Sequence, residues 1–391
     1  MDERELDLRN RNVTGRRRSF FIDYTMLFVV IILAIFGLLM VYSTTAYKSG
    51  ISEFRSQLIC ILIGLGLMFF EYKLAYPLIN GIGKGKIAFA AGIFALVCII
   101  ALKTPLGATI NGATRWIKVG SRFTIQVAEI VKIAVILIMA ALFSSFSGIL
   151  KSWKGVGITL LIPAFLGGLL GIVSNNMSSA IIIFGIAMVM MFVTSRRYKI
   201  YMLLVVAVAV LVLGAIIVFS STSFGGFRGA RIRVWLNPEL TVEGVDNYQT
   251  KQALYAIGSG GIWGKGIGES IQKMNRLPEA ENDMIYAILC EELGLFGGLI
   301  VIVLFTALIT RLITLAAKCT KFYDSMIVTG VMAHIMLQSI LNIAVVTNSI
   351  PNTGVALPFI SSGGSSVLCL LFEIGLVLAV TKNLNENTEE N

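Results

Sequence analysis

Asp283 is the acid whose setting most suggests chemistry. It follows Pro278-Glu279-Ala280-Glu281-Asn282 and heads an apolar run that begins at 284. A helix N-terminus there would favour its ionised form. An ionised carboxylate beside a large polar loop can act as a general base on a reacting hydroxyl. The same position suits a helix cap, for which Asn and Asp are preferred. The residue types leave both roles open. Glu129 and Lys132 lie inside another apolar run, three residues apart, so they share a helical face and can pair. A charge at mid-bilayer costs about 2.5–3.5 kcal/mol on insertion scales, so the pair needs a reason. It is either a structural ion pair or the lining of a polar cavity. Glu291 and Glu292 also sit in an apolar run, and one of them is a candidate contact for the helix of Glu129 and Lys132. Glu373 and the single histidine, His334, read as structural helix contacts.

Two loops draw attention for their backbone. Residues 258–268, GSGGIWGKGIG, hold no GxxxxGK[ST] and follow no strand of a βαβ unit, so they read as a tight turn at the membrane surface rather than a phosphate loop. Residues 351–366, PNTGVALPFISSGGSS, carry two prolines and three glycines, which preclude a continuous helix. Non-helical backbone at membrane depth must be buried or line a cavity. This segment therefore either re-enters the membrane or lies on its outer surface near the cavity. One histidine argues against His-based metal sites and His-dependent triads. The five cysteines are scattered, with neither metal-ligand spacing nor a disulfide framework.

The elements that must position these residues are membrane helices. The chain has 391 residues, of which 56% are hydrophobic and 14% charged, with a mean hydropathy of +0.84. Ordinary soluble domains are about 45–50% apolar and about 25% charged. A soluble α/β enzyme, a disordered chain and a fibrous repeat are thereby excluded. Ten apolar runs are long enough, or nearly so, to cross a bilayer: 24–43, 56–71, 86–102, 126–147, 157–173, 178–194, 200–219, 284–310, 325–347 and 366–381. The first is too long for a signal peptide and is taken as a retained span. With the N-terminus inside, 18 of the 32 Lys and Arg fall in cytoplasmic segments and 13 outside, seven of them in one loop of 64 residues. Long loops translocate largely regardless of charge, so the bias puts both termini in the cytoplasm. The formal charge of +10 is thus first a topology signal, and no nucleic-acid partner is expected.

The expected organisation is an all-α polytopic membrane protein. A basic cytoplasmic tail, 1–23, precedes a single transmembrane domain, 24–381, and a short cytoplasmic tail, 382–391, follows. Outer segments are 103–125, 220–283 and 348–365, the first two long for a compact protein and therefore candidates for function. No internal repeat of the kind many transporters carry is evident.

Placed in order, five motifs resemble those of the SEDS family (shape, elongation, division and sporulation; FtsW, RodA and SpoVE). Asn111-Gly112-Ala113-Thr114-Arg115-Trp116-Ile117 is similar to the family's NGAxRWI, and Glu129 with Lys132 to its ExxK. Tyr248-Gln249 through Gly268 resembles its YQ…AIGSGG…GxG. Leu277-Pro278-Glu279-Ala280, Asp283 and Glu291-Glu292-Leu293-Gly294 resemble LPExxxDxIxxxxxEELG, and the last loop PxTGxxLPFxSxGGSS. The chain departs from the family at Gln126-Val127-Ala128-Glu129, which lacks Pro and Ser. In the stretch Asn175-Asn176-Met177-Ser178-Ser179, Asn176 replaces an acid. Asn282 and Ser362 replace the usual Thr and Tyr. Residues 266–273, GIGESIQK, look more like the division and sporulation branch than the elongation branch.

The resemblance implies a peptidoglycan glycosyltransferase that polymerises lipid II at the outer face of the cytoplasmic membrane, in septal wall synthesis. The donor is α-linked to undecaprenyl pyrophosphate and the product is β-1,4 linked. Inversion needs one displacement and one general base, without the covalent nucleophile of retention. By carry-over Asp283 is that base. Lipid II contacts are expected from Arg115, Lys118, Glu129, Lys132, Arg231, Arg233 and Lys273, with Ser361, Gly363 and Gly364 of the last motif. Pyrophosphate needs its charge neutralised more than it needs an acid. A divalent cation, Mg or Mn, is one way to share that task, although no protein metal site is expected. Implied partners are a class B penicillin-binding protein supplying transpeptidation, divisome proteins and membrane lipid. A lipid II flippase and a non-catalytic scaffold for such a partner are the alternatives.

Overall fold

With no water in the bilayer core, every backbone N–H and C=O must bond within the chain, so long apolar runs fold as helices. The computed structural model describes residues 22–195 (apart from 111, 121, 122 and 147), 203, 206, 210, 214, 217, 218, 232–237, 247–382 (apart from 275) and 384. Its helices are α1 (Tyr24–Ser49), α2 (Ser52–Ile82), α3 (Lys84–Ala101), α4 (Val127–Ser145), α5 (Trp153–Ser174), α6 (Met177–Thr194), α7 (Tyr248–Gly260), α8 (Ile285–Lys318), α9 (Phe322–Val346) and α10 (Gly364–Thr381). Among the described residues, nine of these, all but α7, are long and apolar enough to cross a membrane. The seventh apolar run, 200–219, lies largely outside the described residues. The chain is a multi-pass membrane protein.

Polar residues set the helix ends. Asp23 caps α1 by accepting from Met26 N–H at 2.9 Å, and its carboxylate also pairs with Arg311 of α8 at 2.7 Å. Asn175, in the left-handed conformation, ends α5; Asn176 then caps α6 through Ser179 N–H at 3.1 Å. Asn176 thus keeps a cap that an acid would also supply.

The segment 103–125 is not a plain loop. It forms a three-stranded antiparallel sheet, β1 (Gly107–Ile110), β2 (Ala113–Val119) and β3 (Phe123–Gln126), with Trp116 opposite Ala108 on one side and Gln126 on the other. The β-branched and aromatic residues of 113–119 and 123–125 suit a pleated surface. Gly112 and Gly120, at φ +74° and +72°, supply the turns. β3 runs straight into α4, which fixes the sheet over Glu129.

The segment 351–363 re-enters the bundle. A Cβ on Gly37, midway along α1, would collide with Phe359 O and lie 2.7 Å from Ile360 Cα. Leu357, Phe359 and Ile360 are fully buried there. Side chains satisfy the loop's backbone, as burial demands. Ser361 Oγ accepts from Leu357 N–H and donates to Asn282 O, both at 2.7 Å, and Gln57 brackets the loop at Ser361 O and Gly363 N–H.

The glycine-rich stretch docks backbone to backbone on α8. At Gly294 α8 breaks, with φ +69° and ψ −166°. A Cβ on Gly294 would collide with Ile262 O, and one on Gly264 with Glu292 O. The seam is closed by Lys265 N–H to Glu291 O at 3.0 Å, Gly266 N–H to Glu292 O at 2.9 Å and Leu295 N–H to Gly261 O at 2.9 Å.

Candidate active site

The sheet, the re-entrant loop and the starts of α4, α8 and α10 meet around a cavity of about 510 Å³. Its wall includes Asp283 and Glu279 on one side, Arg115 and Trp116 of β2 on another, and Gly363 and Gly364 at the head of α10. Glu129, Lys132 and Gln338 form its floor. Residues from six separate stretches of sequence, 53–57, 110–132, 176–182, 279–283, 338 and 354–366, thus face one polar space.

Asp283 precedes α8 but does not cap it. Met284 occupies the N-cap position, and no side chain bonds the first amides of α8. The cap reading therefore falls. The Asp283 carboxylate faces Gly354, where a Cβ would stand 3.6 Å from Oδ2. Gln249 Nε2 lies 3.5 Å from Oδ1 and is held by Asn352, which donates to Gln249 Oε1 at 2.8 Å. Burial pushes the Asp283 carboxyl up to about 7, helped by the negative charges of Glu279 and Glu281. A carboxyl so tuned is a proton acceptor poised near neutral pH.

Arg115 reaches Asn175 O through Nη2 at 3.2 Å, and its Nε is buried with no partner. Burial lowers its affinity for the proton. An unsatisfied guanidinium N–H at a cavity wall suits an anionic ligand. At the floor, Lys132 Nζ donates to Glu129 Oε1 at 2.7 Å and to Gln338 Oε1 at 2.8 Å. The pair is therefore a structural ion pair and a cavity lining at once.

Other sequence-derived candidates stand elsewhere. Lys118 is exposed on β2 and does not line the cavity. Lys273 is buried in an ion pair with Glu292, 2.8 Å away, and donates to Ser43 of α1 at 3.0 Å. It is shut away from the cavity because that pair satisfies it. Ser361 is an anchor of the re-entrant loop, while its neighbour Ser362 lines the cavity. Arg233 sits on a helical stretch, 232–236, next to the 348 turn, where Trp235 Nε1 donates to Asn348 O at 2.9 Å. It is not among the lining residues. Arg231 lies outside the described residues. Neither Glu291 nor Glu292 bonds α4. Glu291 accepts from Lys265 and Ser270 and from the N–H groups of Ile271 and Gln272, clamping the loop before Asp283.

Reasoning from sequence missed Asn342, Gln338 and Gln57. The first two, with His334, recur at four-residue spacing on one face of α9. That polar stripe in an apolar run was the available signal.

The family model FTSW_RODA_SPOVE, described as "Cell cycle protein", matches residues 23–386. The chain is 33% identical over 366 residues to Stage V sporulation protein E of Bacillus subtilis, covering 92% of this chain and 97% of that protein. It is 35% identical over 289 residues to the probable peptidoglycan glycosyltransferase FtsW of Coxiella burnetii, covering 73% and 75%. A solved structure described as "Structural coordination of polymerization and crosslinking by a peptidoglycan synthase complex" matches with a TM-score of 0.76 at 22% identity, covering 94% of this chain and 100% of that one.

Proposed function

The chain belongs to the FtsW, RodA and SpoVE family of cell cycle proteins, and from that premise we propose that it is a peptidoglycan glycosyltransferase acting on lipid II. The observation that carries the reading is the shared cavity of Asp283, Arg115, Lys132 and the first residues of α10. Asp283 takes the proton from the acceptor sugar's hydroxyl as that oxygen attacks the donor's anomeric carbon. The bond to pyrophosphate breaks in the same displacement, which inverts the α-linkage to β. Arg115, Lys132 and the N-terminal end of α10 offset the charge gathering on the leaving pyrophosphate. Burial, and then the negative charge of Glu279, holds the Asp283 carboxyl near neutral pH.

The substrate's polyprenyl tail needs an apolar path out of the cavity, which neighbouring helices supply. Orientation follows the charge bias: the cavity opens outward and both termini are cytoplasmic, with the protein working at the division septum. The relatives' names and residues 266–273 support that branch. A class B penicillin-binding protein is the proposed crosslinking partner, in keeping with the synthase complex whose fold this chain shares. Among the described residues, no group of three or more His, Cys, Asp or Glu is placed to hold a metal. A divalent cation would lean on Asp283, Glu279 and the substrate's phosphates, and no step above depends on it.

The experiment is polymerisation of purified lipid II by the purified chain, with and without the partner. Glycan strands made by the chain alone support the enzyme and exclude the scaffold. Strands in neither mixture overturn the reading.

A further inference from the structure

Five ionisable side chains, on four helices, stand in the membrane interior on a line that leaves the cavity floor: Glu129 and Lys132 (α4), His334 (α9), Glu373 (α10) and Glu71 (α2). All are buried. His334 Nδ1 lies 2.8 Å from Glu373 Oε2, and His334 Nε2 lies 2.8 Å from Gln338 Oε1 and 3.9 Å from Glu129 Oε2. A Cβ on Gly375, two residues past Glu373, would collide with Glu71 Oε2. Cys369, one turn before Glu373, is within electrostatic reach of Glu129, Lys132 and Glu373. The line crosses the bilayer. Glu129 is the third residue of α4 at the cavity end, and Glu71 closes the apolar run 56–71 of α2 at its opposite end.

The hydrogen bonds fix where the protons are. Lys132 can only donate, so the Gln338 atom facing it is Oε1; Gln338 Nε2 donates to Ala356 O at 3.0 Å, which agrees. An amide oxygen cannot donate, so His334 Nε2 must carry a hydrogen toward it. At Nδ1 one further proton is held between the imidazole and the Glu373 carboxyl. Beyond this filled pair, one carboxylate oxygen at each end, Glu129 Oε2 and Glu71 Oε2, is buried without a hydrogen-bond partner. Structural polar networks are normally satisfied. This one has a vacant acceptor at each end.

We propose that Glu71, Glu373, His334 and Glu129 form a proton path between the cavity and the opposite face of the membrane. In one transfer toward the cavity, the His334 Nε2–H bond breaks and an O–H bond forms on Glu129 Oε2. The proton shared with Glu373 then resides on Nδ1, and Glu71 in its acid form reprotonates Glu373 and refills from the opposite face. Glu129 releases its proton into the cavity, and a turn of the His334 ring brings an N–H back to Gln338 Oε1. Each transfer moves one proton and needs no other reactant. Lys132 Nζ donates to Glu129 Oε1 at 2.7 Å, which leaves Oε2 open to receive the proton. The path ends on the cavity at Glu129, whereas Glu71, His334 and Glu373 do not line it, so substitutions at Glu71 and Glu373 spare the polymerase site.

The test reconstitutes the full chain in phosphatidylcholine–phosphatidylglycerol vesicles holding a pH-sensitive dye, with a potassium diffusion potential imposed by valinomycin. Wild type should change the internal pH faster than protein-free vesicles. Glu373→Gln and Glu71→Gln, each checked to be monodisperse, should fall to the protein-free rate while retaining polymerisation. Wild type at the protein-free rate overturns the path, whatever the variants do. So does undiminished flux in either folded variant, which would leave the network purely structural.

Discussion

Asn342 Nδ2 donates to the backbone carbonyl of Asp283 at 2.7 Å and to that of Val355 at the same distance. One amide thus ties the start of α8 to the re-entrant loop and fixes where the Asp283 carboxylate points. Replacing Asn342 by Ala leaves two buried carbonyls unpaired, at about 1–3 kcal/mol each. Asn342→Asp should do no better, because a carboxylate has no N–H to give. Both variants should lower Tm in detergent and the yield of glycan strands. Full activity in Asn342→Asp would contradict this role.

The acid side of the pH–rate profile should report Asp283. Burial first, and then Glu279, raise its carboxyl to about 7, and the base works ionised. kcat/KM should therefore rise with pH toward about 7 and level above it. Glu279→Gln should move that limb to lower pH by removing the neighbouring negative charge. Stability runs the other way. A carboxyl raised above its unfolded value of about 3.9 contributes stability that is complete at lower pH. That contribution is lost as pH climbs to about 7. The Tm of wild type should decline across that window more than the Tm of Asp283→Asn.

The pair Lys273–Glu292 is fully enclosed. Removing one partner of a buried pair costs about 3–5 kcal/mol, whereas replacing both with apolar residues is often neutral. Glu292→Leu alone should therefore unfold or strongly destabilise the chain. Adding Lys273→Met should recover most of the Tm and the polymerising activity. Recovered Tm without activity would return Lys273 to the substrate site.

The membrane helices and the loop containing Asp283 were legible in the sequence because hydropathy and local motifs carry them. Asp283 itself could not be separated from a helix cap until the empty side-chain cap of α8 was seen. The sheet at 107–126 was missed because its strands are four to seven residues long, too short to stand out in a loop. Lys273 looked like a substrate cation because its partners, Ser43 and Glu292, are far away in sequence. The glycine-rich stretch, read as a tight turn over 258–268, is helical to Gly260 and turns only from Gly261. Its reason, a backbone seam with the break at Gly294, needs two segments at once and is invisible in either.

The central claim is that Asp283 is the general base, and one substitution tests it most directly. Asp283→Asn keeps the side chain's size and removes its capacity to take the proton. Lipid II should be incubated with wild type and Asp283→Asn, the partner present, and the strands resolved on a gel. The account predicts no strands from a variant that elutes and melts as a folded protein. Strands at the wild-type rate would contradict it.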